Sequence, residues 1–164
     1  MESIILDSQK GTGGAQAGAE SMLQQISNTP LEPINLMIED KQRKVYLKLE
    51  GTNLTGSMKV RTGLALIHHL TEQGRLHANS VIIESTSGNL GVALAFLCQQ
   101  YGYQFVAVID PKTTPENIQK MRAYNAQIEL VDQQDHTGGY LLSRLAHIQE
   151  LCQQRPEYVW TDQY

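Results

Sequence analysis

Val81-Ile82-Ile83-Glu84, then Ser85-Thr86-Ser87-Gly88-Asn89-Leu90-Gly91, an apolar run to Tyr101, and Phe105-Val106-Ala107-Val108-Ile109: this stretch, residues 81–109, decides the fold. Its first part is short, β-branched and uncharged until Glu84, the pattern of a strand buried on both faces. From Gly88 to Tyr101 the chain carries Leu90, Val92, Ala93, Leu94, Ala95, Phe96 and Leu97, and Gly102 stops it. A run that is apolar nearly all round reads as a helix packed inside the protein. Phe105 to Ile109 is a second buried strand, ended by Asp110-Pro111. Strand, helix and strand at this spacing make a βαβ unit, and the crossover obliges the two strands to run parallel.

The same alternation extends in both directions. Downstream, Thr114-Pro115-Glu116 opens a helix with Thr as N-cap and Pro as the first helical residue. Gln127 to Val131 predicts a strand, Gly139 to Gln153 a helix, and Tyr158-Val159-Trp160 a strand. Upstream, Met58, Arg61, Leu64, Ala65, Ile67, His68 and Leu70 fall at helical spacing over 58–74, closed by Gly74. Val45 to Glu50 alternates with period two and predicts a strand; residues 51–57 are a turn-rich loop, and Pro30 biases Thr29 toward an extended conformation. The predicted fold is α/β: three layers, a parallel sheet with helices on both faces. Residues 8–20 have no hydrophobic period and read as a mobile lead-in; Met22, Leu23 and Ile26 share one face of a short helix that ends before Asn28.

The length, 164 residues, suits one ordinary domain, large enough to bury a core without disulfides or metals. Lys plus Arg is 13 against 17 Asp plus Glu, a formal charge of −4. That balance argues against nucleic acid or an anionic membrane as partner, because phosphate binding needs clustered cations. No stretch approaches the roughly 20 apolar residues of a membrane span, and the N-terminal apolar run lacks the basic flank of a secretion signal. Cys98 and Cys152 lie far apart and outside any Cys/His cluster, so no disulfide framework and no metal site is expected, and the cytoplasm is the expected compartment.

In open parallel sheets, ligands sit at the carboxyl ends of the strands beside helix N-termini. Two loops occupy such positions. In Asn53-Leu54-Thr55-Gly56-Ser57-Met58-Lys59, Gly56 permits a sharp turn, Ser57 can cap the helix, and Lys59 enters its first turn. The helix dipole disfavours an ammonium there and favours the neutral amine that a Schiff-base lysine needs. In Ser85 to Gly91, three hydroxyls, an amide and a helix N-terminus converge, a setting for a carboxylate or a phosphate. Alone, the first reads as an ordinary surface lysine and the second as a capped βα turn. Gly-x-Gly-x-x-Gly is missing from that turn, which removes a nicotinamide-binding oxidoreductase from consideration.

Together and in this order the two loops are specific. Asn28-Thr29-Pro30-Leu31, Leu47-Lys48-Leu49-Glu50, Asn53, Gly56-Ser57-Met58-Lys59 and Glu84 to Gly91 resemble the cysteine synthase family of pyridoxal-phosphate (PLP) enzymes, which share the tryptophan synthase beta-like fold. The resemblance runs from about Asn28 to Tyr164. Glu84 to Gly91, Asp110-Pro111-Lys112 and Gly138-Gly139-Tyr140-Leu141 with Arg144 are closest to the branch that joins phosphoserine to glutamate on the way to 2,3-diaminopropionate. It implies that Lys59 condenses with PLP and then removes the substrate's α-proton. Asn89 would hydrogen-bond the cofactor's 3′-oxygen; Ser85, Thr86, Ser87 and Asn89, with the backbone around Gly88 and Leu90, would hold the substrate carboxylate. It also implies small amino-acid substrates, a homodimer in the full-length form, and a division into a lead-in (1–27), a segment of the larger PLP-binding domain (28–52), a smaller α/β domain (53–155) and the start of the remaining larger domain (156–164).

Two departures stand out. The family commonly carries Asp after the lysine, where this chain has Val60, with Arg61 kept; loss of the acid is expected to loosen the loop. The family's glycine-rich phosphate loop has no counterpart, which makes a fragment the expectation; Gly11-Thr12-Gly13-Gly14 precedes rather than follows its strand and is a poor substitute. The alternatives carried are cysteine synthesis from acetylserine and sulfide, and a truncated, catalytically silent paralogue that acts as a binding module. His68, His69, His77, His136 and His147 show no metal spacing and read as surface or capping groups. Asp135 to Gly139 reads as a turn before a helix, with closure over a second substrate as the less favoured role, and Cys98 as a packed thiol.

Overall fold

The computed structural model describes residues 25–26 and 28–163; the lead-in and the Met22–Leu23 part of the expected first helix lie outside them. A hairpin comes first, β1 (Leu31–Ile38) and β2 (Lys41–Lys48), followed by a 3-10 turn at Glu50–Thr52. Then come α1 (Lys59–Glu72), β3 (Val81–Ser85), α2 (Asn89–Tyr101), β4 (Gln104–Ile109), α3 (Pro115–Ala123), β5 (Gln127–Leu130), α4 (Leu141–Gln154) and β6 (Tyr158–Trp160).

β3 to β6 form one sheet in the order β5-β4-β3-β6, every pair parallel. Successive side chains of a strand point to opposite faces, and two cores follow. Ile82, Phe105, Ala107 and Ile109 join Val60 and Ile67 of α1, Leu94 and Leu97 of α2 and Met121 of α3. On the other face Val81, Ile83, Val106 and Val108 meet Ile148 of α4 with half-buried Leu151 and Trp160. Helices cover both faces, as the apolar strands require. Each fully buried Val, Leu, Ile or Phe side chain contributes about 1.5–3 kcal/mol by leaving water, and α2 is buried without a break from Leu90 to Cys98, with Leu90, Val92, Leu94, Phe96 and Leu97 among them. Burial pushes the Cys98 thiol well up, and it is the packed thiol expected.

The upstream part corrects the sequence reading. Val45 to Glu50 was expected as the first strand of the alternation, with no strand before it. The strand instead runs Lys41–Lys48 and pairs antiparallel with Leu31–Ile38, Ile34 facing Val45 and Ile38 facing Lys41, apart from the parallel sheet. The turn is Glu39-Asp40, both at positive φ (51° and 57°), the geometry that matches strand twist in a two-residue hairpin. Pro33 and the absence of Asn-Gly hide this hairpin in the sequence. Glu50 lies outside the strand and opens the 3-10 turn.

Candidate active site

Lys59 is the first residue of α1 and is half-buried. Ser57 Oγ accepts the Lys59 N–H at 3.2 Å, so the expected cap exists one residue ahead of the Met58 cap position. Gly56, at φ 73°, donates its N–H to the Asn53 carbonyl at 2.8 Å and turns the loop. Val60 is fully buried in the core, so an acid at this position would sit among apolar side chains. The expectation that Val60 loosens the loop is therefore replaced by an anchoring role.

The second loop leaves β3 at Ser85. Ser85 and Thr86 are buried, Gly88 is half-buried, and Ser87 and Asn89 are exposed. Thr86 Oγ1 accepts the Gly91 N–H at 2.9 Å and caps the first turn of α2 from within, which leaves its hydroxyl proton to donate. Gly91 is required there: a Cβ would stand 2.6 Å from both Thr86 Cγ2 and Met121 Sδ. The Leu90 side chain belongs to the core, so any ligand contact by this residue is through its backbone.

How the two loops stand to each other follows from the helices they open. A Cβ on Gly63 of α1 would lie 3.0 Å from Leu97 and 3.5 Å from Leu94 of α2, and His68 Nε2 lies 3.2 Å from the Tyr101 hydroxyl. Moving along α1 from 63 to 68 thus moves along α2 toward 101, so the helices run side by side in the same direction. Their N-termini, Lys59 and Asn89, share one end of the molecule, the end at which β3 delivers Ser85. Asn53 Oδ1 and Thr55 Oγ1 in the first loop and Ser85 Oγ in the second are buried with no hydrogen-bond partner within the protein. Buried polar atoms are rarely left so, and both loops therefore hold hydrogen-bonding capacity suited to a small polar ligand.

Three features escaped the sequence reading. Glu84 is fully buried. Its carboxylate accepts from the Ser85 N–H at 2.6 Å, Trp160 Nε1 at 3.3 Å, the Thr161 hydroxyl and the Gln163 N–H, tying the second loop to the end of β6. Burial pushes its pKa up against the pull of those donors. Asp110, just past β4, and Arg144, in the first turn of α4, are both buried with 3.5 Å between Oδ2 and a guanidinium nitrogen. Arg144 Nε and that nitrogen have no hydrogen-bonded partner. The available signal was spacing: Leu141, Arg144, Ile148 and Leu151 fall on one helical stripe, and an arginine on it must be buried. Nearby, Lys112 donates its N–H to Asp110 at 2.8 Å and holds its ammonium 5.4 Å from the Tyr140 ring centre. Third, Glu50, Arg61 and Thr29 share one hydrogen-bond network.

Asp135 has the turn role expected of its segment. Its carboxylate accepts from Thr137 Oγ1 at 2.5 Å, the Thr137 N–H at 2.9 Å, the Gly139 N–H at 3.2 Å and the Leu142 N–H at 3.0 Å, fixing the entry to α4. His68, His69, His77 and His136 are exposed and His147 half-buried; among the described residues no cluster of His, Cys, Asp or Glu could hold a metal ion. Nor is any described helix long and apolar enough to cross a membrane.

Comparison with known proteins fits this geometry. A family model described as pyridoxal-phosphate dependent enzyme matches residues 22–164. A hydrogen sulfide-producing enzyme of Fusobacterium nucleatum superposes with a TM-score of 0.76 at 34% identity over 87% of this chain and 45% of its own. An O-ureido-L-serine synthase gives 0.73 at 30% identity, over 87% and 43%. An O-acetylserine dependent cystathionine beta-synthase of Helicobacter pylori gives 0.70 at 27% identity, over 85% and 45%. The chain spans less than half the length of each of these structures.

Proposed function

Because the chain belongs to the family of pyridoxal-phosphate dependent enzymes, we propose that it serves β-replacement on a serine whose hydroxyl carries a leaving group, with Lys59 as the base. The observation that carries this reading is the shared end of α1 and α2, where an amine and a hydroxyl-rich turn begin side by side. The donor set suits the cofactor's aldehyde and ring oxygen, with the Lys59 amine for the first and the Asn89 amide for the second, and offers hydroxyls and helix N–H groups for a substrate carboxylate. When bound, pyridoxal phosphate supplies the electron sink for loss of the proton at Cα. Lys59 Nζ takes that proton and later returns it. Thr86, Ser87 and the N–H groups at the start of α2 hold the carboxylate so that Cα–H faces the amine, a positioning effect of the kind that lowers barriers most. The Cβ–O bond breaks with its electron pair leaving on oxygen, and the incoming nucleophile forms its bond to the same carbon.

For the leaving group we favour phosphate, hence O-phosphoserine. Arg144 supports this choice: a buried guanidinium at the carboxyl edge of the sheet, with unmatched N–H groups and Lys112 close by, suits a dianion. Resemblance to the diaminopropionate branch makes glutamate the nucleophile, its amino nitrogen bonding to Cβ. The test is to incubate the protein with PLP, O-phosphoserine and glutamate, then measure free phosphate and the product's mass. A condensation product with phosphate released in equal amount supports the reading. Cysteine formed from acetylserine and sulfide, with no reaction of phosphoserine, would replace it by cysteine synthesis; no product in either arm would favour the silent paralogue.

A further inference from the structure

The loop that delivers Lys59 is closed at its base by one carboxylate. Glu50 precedes the loop and Arg61 follows Lys59 by two residues. Arg61 donates to both oxygens of Glu50, through Nε at 3.2 Å and a terminal nitrogen at 2.9 and 3.1 Å. That same terminal nitrogen reaches Thr29 Oγ1 at 2.9 Å, and the Thr29 hydroxyl donates to Glu50 at 3.1 Å. Asn53, inside the loop, donates to the Glu50 side chain at 2.7 Å and to its carbonyl at 3.2 Å. Lys48 donates to the Thr29 carbonyl, and the Leu49 N–H meets the Pro30 carbonyl at 2.9 Å. One carboxylate thus gathers the chain before the hairpin, the chain after it, the loop interior and the helix beyond.

We propose that Glu50 is a positioning residue for Lys59: through Arg61 and Asn53 it sets the rotation of α1 and the path of the loop, and so the direction in which the amine leaves. The geometry of the first turn carries the argument. Successive helical residues point about 100° apart. Val60 points into the core with no exposure, and Arg61 is held to Glu50, so two directions around the axis are fixed and the third, that of Lys59, follows. A bidentate fork holds direction as well as distance, which a lysine at 61 could not do. Neither Glu50 nor Arg61 needs to touch a ligand for this.

This inference rests on the role given to Lys59 above, so the experiment has two readouts. Wild type, Glu50→Gln and Arg61→Lys are compared, with circular dichroism and thermal melting as the check on folding. Amide hydrogen exchange of the peptide spanning 51–60 reads the brace directly. The variants should exchange there about tenfold faster, the scale of a lost hydrogen bond to a charged group, with α2 unchanged. PLP followed by borohydride, mapped by mass spectrometry, reads the amine. Labelling at Lys59 relative to Lys120 in the same sample should fall in Glu50→Gln and fall less in Arg61→Lys, which keeps the charge without the fork. Unchanged exchange in a folded variant overturns the brace. Faster exchange with an unchanged Lys59-to-Lys120 ratio overturns the positioning role. A wild-type chain that takes no label at Lys59 defeats the reading of Lys59 instead, and the exchange result still decides the brace. If Glu50→Gln does not fold, Arg61→Lys carries both comparisons.

Discussion

Gly63 of α1 and Leu97 of α2 approach so closely that a Cβ on the glycine would lie 3.0 Å from Leu97 Cδ1. This contact holds two helices side by side with their N-termini level, which is what puts Lys59 at the same end as the turn from Ser85 to Leu90. Gly63→Val would push the helices apart. Overpacking of this sort costs about 1–3 kcal/mol, so the midpoint of thermal unfolding should fall and PLP labelling of Lys59 should fall with it. A variant that melts like wild type and labels equally would show that the close approach is dispensable.

The buried pair of Asp110 and Arg144 gives an asymmetric prediction. Asp110→Ala strands a buried guanidinium, a loss of about 3–5 kcal/mol, whereas Arg144→Met with Asp110→Leu removes both charges and keeps most of the volume, and is expected to be far milder. Chemical denaturation of the single and double variants checks the order. On the functional side Arg144→Met should abolish phosphate release from O-phosphoserine while PLP still labels Lys59.

Two carboxylates should move stability in opposite directions with pH. Asp135 is lowered to about 2, first by the Thr137 hydroxyl and then by the N–H groups of Leu142, Thr137 and Gly139, against some desolvation. A carboxyl lowered on folding stabilises above its unfolded value, about 3.9, and loses that contribution as pH falls toward 2. Glu84 is raised, burial outweighing its donors, so its contribution is full below the ordinary carboxyl value and is lost as pH rises through the folded one. Melting curves of Asp135→Asn should therefore differ from wild type at pH 5 and converge near pH 2. Curves of Glu84→Gln should show less loss of stability than wild type as pH rises above the carboxyl range. A constant offset at every pH, for either variant, contradicts its assignment.

One face of the hairpin carries Ile34, Leu36, Ile38, Val45 and Leu47, and Leu36, Ile38 and Leu47 are 41%, 46% and 42% exposed. Exposed apolar faces and strand edges promote association. The chain should scatter light increasingly with concentration, and Leu36→Lys should reduce this with a change in stability of about 0.5 kcal/mol or less, as for other surface substitutions. Scattering unaffected by the substitution would locate the sticky surface elsewhere.

The parallel sheet was legible because its central strands, β3 and β4, are short and mostly apolar and its helices are punctuated by Gly102, Pro115 and capping residues. The hairpin was not: Pro33 breaks its alternation, Glu39-Asp40 is an uncommon turn pair, and neither face is buried, so hydrophobic pattern had little to report. Within the candidate site, Lys59 and the turn from Ser85 to Leu90 could be found because each sits on a strand-to-helix or loop-to-helix junction of recognisable chemistry. Glu50, Glu84 and Asp110 could not, since their partners Arg61, Thr161 and Arg144 are brought to them only by the folded chain. The Leu90 side chain belongs to the core, and the expectation for this residue concerned its backbone alone.

A single amine, that of Lys59, decides the proposed chemistry, and trapping it is the most direct measurement. The protein is mixed with PLP, reduced with borohydride, digested and mapped. The reduced adduct is expected on the peptide containing Lys59, with Lys59→Ala abolishing both the adduct and any phosphate release. An adduct spread evenly over Lys41, Lys44, Lys112 and Lys120, or one that survives in Lys59→Ala at the wild-type level, would contradict it.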